Sequence, residues 1–170
     1  RTWPGTHAKG AYFVRGSGHN RFGTYTEDGP EYQEVVDRLL VKWETAKNLV
    51  PRPLLRKAGQ KTVIGIIAYG SSDGAVLEAL DQLAEEGVYA DYLRVRAFPF
   101  NGEVCDFINE HQTVFVVEQN RDAQLRSLLI LEAEANPKKL VRVLHYNGMP
   151  IPSDCVTESV RAHVREEAAA

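Results

Sequence analysis

The stretch TVIGIIAYGSSDG, residues 62–74, decides the fold of this chain. It opens with an almost unbroken apolar run, which is typical of a strand buried on both faces of a parallel sheet. A turn rich in glycine and serine follows. The apolar residues after that turn recur at helical spacing as far as Gly87, which suits a helix end. The stretch therefore predicts a strand, a tight turn and a helix.

The same alternation of strand and helix continues along the chain. Further strands are expected at residues 89–96, 113–117 and 140–144, with helices at 102–110, after the turn at 118–122, and from Ser153. Strands and helices that alternate at these intervals form a mostly parallel sheet between two helix layers. Binding or contact residues then gather where the strands end, here at residues 69–74, 97–102, 118–122 and 145–148.

The beginning of the chain differs from the rest because glycine is frequent in residues 1–30. These residues suit a hairpin with a long loop or an extended arm. A helix follows, with Asp28 as its cap, Pro30 in its first turn and Pro51 beyond its end. We therefore expect a glycine-rich arm at residues 1–30, a linking helix at residues 31–53 and an α/β domain at residues 54–170.

Composition excludes several classes of function. The 170 residues are 44% hydrophobic and 25% charged, as in soluble globular proteins, and the net charge of −3 argues against a nucleic-acid-binding surface. No apolar run reaches the length of a membrane span. Cys105 and Cys155 have no metal-binding spacing, and the histidines are scattered. We expect inert thiols, no metal site and a cytoplasmic location.

Two glycine-rich turns are candidate binding sites for an anion or for coenzyme A. One begins a helix whose free N–H groups attract negative charge, and it comprises Gly70, Ser71 and Ser72. The other offers backbone N–H groups beside two basic side chains, and it comprises Arg15, Gly16, Ser17, Gly18 and His19. The first turn matches neither GxGxxG nor the P-loop pattern. A capped tight turn and a flexible glycine loop explain the same residues.

The polar turn within VVEQNRDAQL, residues 116–125, follows a buried strand. A general acid–base pair would need a perturbed pKa and a second group within reach. A contact surface, or a helix cap formed by Asn120 or Asp122, explains the same residues. No serine of the chain lies in a GxSxG motif. We assign no catalytic residue and treat the turn as a set of contact or supporting residues: Glu118, Gln119, Asn120, Arg121 and Asp122.

Several motifs together resemble the C-terminal part of the alpha subunit of 2-oxoacid:ferredoxin oxidoreductases, most closely the 2-oxoglutarate type. They are spread over residues 4–125 and read PGTHAKGAYFVRGSGHN, DRLLVKWETA with VPRP, AYGSSDGAVLEAL, LRVRAFPF and VVEQNRDAQL. One departure is Ala123, where the family pattern has glycine. The resemblance implies a transketolase C-terminal-like domain, which is a three-layer α/β/α fold with five strands, one of them antiparallel. The fifth strand would come from residues 54–58 or from the early arm.

The resemblance also implies a function that the chain performs only as part of a larger enzyme. That enzyme oxidatively decarboxylates a 2-oxoacid and transfers the acyl group to coenzyme A. It uses thiamine diphosphate, Mg²⁺ and iron–sulfur clusters held elsewhere, and it passes electrons to ferredoxin. Partners would be the other alpha-subunit domains, including a pyrimidine-binding domain that precedes Arg1, and the beta subunit. The chain alone would be inactive. A free-standing anion- or coenzyme A-binding module and a structural dimerisation domain are the alternatives.

Overall fold

The computed structural model describes residue 3, residues 5–10 and residues 18–169. Arg15, Gly16 and Ser17 of the predicted anion-binding turn lie outside the described residues, as do residues 11–14 of the predicted arm. The chain divides into two compact units, Arg1–Leu49 and Val50–Ala170.

The first unit contains the expected helix, α1 (Gly29–Lys47). Its N-terminus forms as the sequence predicts, because the Asp28 side chain accepts a hydrogen bond from the Glu31 amide at 2.9 Å and proline occupies the first turn. Asn48 is the C-terminal cap, so the helix ends before Pro51. Val35 is the residue of α1 that is buried.

The second unit is built on a five-stranded sheet. Its strands are β1 (Leu54–Arg56), β2 (Ile64–Tyr69), β3 (Asp91–Val95), β4 (Thr113–Glu118) and β5 (Leu140–Leu144). Their order across the sheet is β1-β3-β2-β4-β5, and every pairing is parallel except that of β1 with β3. The helices of this unit are α2 (Asp73–Glu85), α3 (Gly102–Glu110), α4 (Gln124–Glu132) and α5 (Ser153–Ala169). The predicted three-layer fold with one antiparallel strand is confirmed.

Alternation along the central strand places the helices in two layers. Ile66 and Ala68 of β2 belong to the apolar cluster that includes α2 and α5, whereas Ile67 belongs to the cluster that includes α3 and α4. Gly65 allows α3 to approach the sheet closely, since a Cβ at this position would lie 2.8 Å from the Phe107 ring. The sheet is therefore covered on both faces, and its strand ends become the places where loops can form a site.

The fifth strand comes from residues 54–56, the first of the two sources that the sequence left open. Its three residues are all exposed, and it pairs with β3 through Leu54, Leu55 and Arg56. A strand this short carries no alternating pattern, which is why periodicity alone does not reveal it.

Candidate functional site at the carboxyl edge of the sheet

The structure brings two of the predicted sites together at the carboxyl edge of the sheet. Gln119, which follows β4, donates its side-chain amide to the Ser71 hydroxyl at 3.0 Å and to the Ser72 hydroxyl at 3.1 Å. Those serines lie in the 3₁₀ turn Gly70–Ser72 that joins β2 to α2. Because β2 and β4 are adjacent parallel strands, their following loops meet at the same edge. Gln119 connects the two loops.

Glu118 ends β4 and is completely buried. One carboxylate oxygen, Oε2, accepts hydrogen bonds from the Leu125 amide at 2.7 Å and from the Asn120 side chain at 2.7 Å. The other, Oε1, accepts one from the Arg126 amide at 2.9 Å. A negative charge at the start of α4 is also favourable to the helix dipole. Glu118 therefore holds the helix start in place.

Asn120 organises the rest of the turn. Its side-chain oxygen accepts hydrogen bonds from the Asp122 amide at 3.1 Å and from the Gln124 amide at 3.2 Å, while its NH₂ group reaches Glu118. The amides at the start of α4 are thus already bonded within the chain. This helix start offers little to an external anion, and its cap is provided by Glu118 and Asn120 together.

The backbone conformation of Ala123 explains why the family pattern has glycine at this position. It has φ 52° and ψ 51°, in the left-handed region where glycine is favoured. An alanine in this conformation costs roughly 1 kcal/mol relative to glycine. Ala123 precedes α4 without providing a side-chain cap, so the bonds made by Glu118 and Asn120 compensate for a strained helix start.

The remaining two residues of the turn lie at the surface. Arg121 donates to both carboxylate oxygens of Asp122, from Nε at 2.7 Å and from Nη2 at 3.2 Å. Their side chains are 73% and 57% exposed. An exposed pair between neighbouring residues contributes little to folding. These two side chains, together with the exposed Gln119, are the part of the turn that a neighbouring surface could touch.

The first residue of α2, directly after the turn Gly70–Ser72, is an anion that is already paired within the chain. The Asp73 carboxylate forms an ion pair with Arg94 at 3.0 Å and accepts a hydrogen bond from the Tyr92 hydroxyl at 2.8 Å. Burial and this hydrogen bond raise the pKa of Tyr92 far above its usual value, so the hydroxyl remains a donor. Because Asp73 already balances the positive charge of Arg94, that guanidinium is not free to bind a phosphate at Gly70, Ser71 and Ser72.

The two described residues of the other predicted anion site, Gly18 and His19, lie in the first unit. The His19 ring nitrogen Nδ1 donates to the Asn20 carbonyl at 2.8 Å, and His19 forms an isolated antiparallel bridge with Tyr25. Gly18 lies against Tyr32, because a Cβ on Gly18 would come within 3.0 Å of the Tyr32 ring.

Two depressions flank the polar turn, and both are lined by residues of the strand ends where the sequence predicts binding or contact residues. The first, of about 420 Å³, lies between the ends of β2 and β3 and the start of α4. We call it the apolar hollow; it is lined by Tyr69, Gly70, Val95, Arg96, Ala97, Phe98, Phe100, Gln124, Leu125 and Leu128. The second, of about 460 Å³, lies on the other side of Gln119 and includes His145, Tyr146 and Met149. The RAFPF motif carries the family resemblance but gives no sign that its aromatic rings line a hollow.

A buried polar cluster occupies the opposite, amino edge of the sheet. The His111 ring lies 2.6 Å from the Phe107 carbonyl and 3.1 Å from the Asp91 carboxylate, which also meets Lys57 and the Ala58 amide. Burial opposes ionisation of Asp91, but the Ala58 amide, Lys57 and His111 outweigh it, and the pKa of Asp91 lies below its usual value. His111 is also the C-terminal cap of α3.

The two thiols of the chain lie in separate helices of the second unit. Burial raises the pKa of the Cys155 thiol, which keeps it protonated. Cys105 lies on α3 and Cys155 on α5, in different helix layers, so they do not share a site. Among the described residues no group of three or more histidine, cysteine or acidic side chains is placed to hold a metal ion. Within that same part of the chain, no helix is both long and apolar enough to span a bilayer.

Solved structures place the fold in the transketolase-like class. The chain aligns with 2-oxoglutarate:ferredoxin oxidoreductase from Magnetococcus marinus, solved with 2-oxoglutarate, coenzyme A and succinyl-CoA bound, at a TM-score of 0.80 and 20% identity, over 95% of this chain and 28% of that one. It also aligns with a split-gene transketolase, an inactive beta4 tetramer, at a TM-score of 0.54 and 20% identity, over 65% of this chain and 40% of that one. No family model matches the chain.

Curated relatives give the more particular likeness. The chain is 26% identical to 2-oxoacid:ferredoxin oxidoreductase subunit alpha of Saccharolobus solfataricus, over 89% of this chain and 24% of the relative. It is 27% identical to the corresponding subunit alpha of a second such enzyme from Aeropyrum pernix, over 87% of this chain and 23% of the relative. The chain thus resembles a segment of these alpha subunits, as its motifs predict, and spans about a quarter of their length.

Proposed function

We propose that the chain is the accessory domain of the alpha subunit of a 2-oxoacid:ferredoxin oxidoreductase. The complete enzyme would decarboxylate a 2-oxoacid oxidatively, form the acyl-coenzyme A and pass electrons to ferredoxin. The proposed substrate is 2-oxoglutarate, because the similar structure from Magnetococcus marinus is that of a 2-oxoglutarate:ferredoxin oxidoreductase with 2-oxoglutarate bound. The proposed location is the cytoplasm.

In this proposal the domain supports assembly and performs no chemistry. The observation that carries this proposal is that both carboxylate oxygens of Glu118 accept hydrogen bonds inside the domain. The donors are the Leu125 amide, the Arg126 amide and the Asn120 side chain. A carboxylate enclosed in this way is not placed to exchange protons with a substrate. The exposed side chains of the turn, Gln119, Arg121 and Asp122, form a rigidly supported contact surface.

The cofactors of the proposed enzyme would lie outside this domain. An iron–sulfur cluster needs several thiolates at one place. The two cysteines of this chain lie in different helix layers. We therefore assign the iron–sulfur clusters to other parts of the enzyme. On the resemblance to the family, we also assign thiamine diphosphate, Mg²⁺ and coenzyme A to the rest of the alpha subunit and to the beta subunit. Residues 1–30 would connect the domain to a pyrimidine-binding domain, and residues 54–170 would form the accessory domain. Residues 31–53 would link the two, although the helix in this segment ends at Lys47 and not at Pro53.

Reconstitution tests this function. The complete alpha subunit that contains this chain would be produced with its beta subunit, and coenzyme A-dependent reduction of ferredoxin would be measured with 2-oxoglutarate, pyruvate and a branched 2-oxoacid. We expect turnover with the complete complex, highest with 2-oxoglutarate, and none with the 170-residue chain. Turnover by the chain alone would contradict the accessory role, and a complete complex inactive on every 2-oxoacid would contradict the proposed enzyme.

A further inference from the structure

The apolar hollow has a preformed floor and an exposed apolar rim. Its floor consists of the buried residues Val95, Phe100 and Leu125. Its rim includes Tyr69, Phe98 and Leu128, which are 41%, 37% and 38% exposed. The Phe98 and Phe100 rings pack edge to face with their centroids 5.1 Å apart, which fixes one wall. A grouped set of exposed apolar side chains around a depression is typical of an interaction site.

The charged side chain that lines the hollow is positive. Arg96 lines it and is exposed, and no acidic residue does so. Within the described part of the chain Arg96 makes no ion pair, whereas Arg94, two positions earlier, pairs with Asp73. The amides at the start of α4 are bonded to Glu118 and Asn120, so Arg96 is the group in the hollow that would attract an anion. An occupant that matches the hollow therefore combines apolar side chains with a carboxylate.

We propose that the apolar hollow is the docking site for a segment of the remaining alpha-subunit polypeptide, one that carries an apolar or aromatic side chain beside an aspartate or glutamate. This inference rests on the proposed function, which makes the chain one part of a longer subunit. The chain aligns with about a quarter of the length of each of the two curated relatives, so most of their polypeptide lies outside the aligned part. The hollow is open to the surface and continuous with the polar turn, because Gln124 and Leu125 line it directly after that turn.

Two leucines on one helix provide a matched test. Leu128 lines the hollow, and Leu131, on the same helix and 74% exposed, does not. A photoreactive benzoylphenylalanine would replace each in turn in the complete alpha subunit bound to its beta subunit. After irradiation, mass spectrometry would locate the cross-links. We expect position 128 to cross-link to alpha-subunit residues outside this chain, in a segment with an acidic residue near the cross-linked one, and position 131 to give at least fivefold less.

A charge reversal tests the role of Arg96. Arg96→Glu should lower the unfolding midpoint of this domain within the complete alpha subunit by about 2–4 °C, the shift that roughly 1 kcal/mol produces in a domain of about 150–250 residues. Arg142→Glu is the control, since Arg142 is also exposed but lies on β5 away from the hollow. Equal shifts for the two variants would overturn the proposed charge recognition.

The inference is overturned if position 128 cross-links no more than position 131, or if its cross-links map to a second copy of this chain or to the beta subunit. Its failure is distinguishable from failure of the proposed function. An active 2-oxoacid oxidoreductase without the cross-link rejects only the docking site, and a cross-linked subunit without that activity rejects only the enzyme assignment.

Discussion

Replacing Glu118 with glutamine should destabilise the domain strongly, although the change removes no volume. The carboxylate accepts three hydrogen bonds, from Leu125 N, Arg126 N and the Asn120 side chain, at 2.7–2.9 Å. A glutamine has one accepting oxygen, so at least one of these donors would face an NH₂ group inside the protein. A buried donor without a partner costs about 1–3 kcal/mol, and the remaining bonds lose their charge. Glu118→Gln should therefore lower the free energy of unfolding by about 2–4 kcal/mol.

Urea denaturation followed by circular dichroism measures this effect. With a dependence of about 2 kcal/mol per molar urea, the midpoint should fall by about 1–2 M. Glu132→Gln on the exposed side of the same helix is the control and should change the free energy by less than about 0.5 kcal/mol. The reasoning is refuted if the two variants have midpoints within experimental error of one another.

Three further outcomes follow from the structure. Gly70→Ala should lower the free energy of unfolding by about 1–2 kcal/mol because φ is +60° at this position. Gly74→Ala in helix α2 should raise it by up to about 1 kcal/mol because alanine is the better helix residue, and at both positions the new Cβ has no atom within 4 Å. Urea denaturation that gives shifts of the same sign for the two variants would contradict this. Because the pKa of Asp91 is lowered in the folded chain, the Asp91 carboxylate stabilises the fold above a pH of about 4, and this stabilisation is lost as the pH falls through the pKa of the folded state. Acid denaturation of Asp91→Asn should lack this loss. A variant whose acid denaturation profile matches that of the unchanged chain would contradict the prediction. Calorimetric titration of the chain with coenzyme A should give no heat at millimolar ligand, and saturable heat would support the anion-binding alternative.

The sequence predicts the regular parts of the fold well, because buried strands and amphipathic helices leave periodic patterns. The strand at 140–144 and the helix at 102–110 have the bounds that those patterns indicate. Periodicity fails for β1, whose three residues are all exposed. The sequence therefore offers residues 54–58 only as one of two sources for the fifth strand.

The candidate site is harder to predict because its key contacts join residues that are distant along the chain. The bond from Gln119 to Ser71 and Ser72 spans the ends of two strands and leaves no local pattern. The burial of Glu118 is equally hard to predict. A glutamate at the end of a strand is expected to be exposed, yet this one is buried against the start of α4. The signal that points to it is Ala123, whose lack of a capping side chain leaves the helix N-terminus in need of another acceptor.

The central claim is that the carboxyl edge of this domain is its contact surface within a larger enzyme. Sedimentation analysis of the complete alpha–beta complex tests it most directly, with Arg121→Glu at the carboxyl edge compared with Lys61→Glu at the amino edge. Both residues are exposed, so neither change should unfold the domain. We predict that Arg121→Glu lowers the assembled fraction and the turnover together, while Lys61→Glu leaves both unchanged. Unchanged assembly with Arg121→Glu, or an equal loss with Lys61→Glu, would contradict the claim.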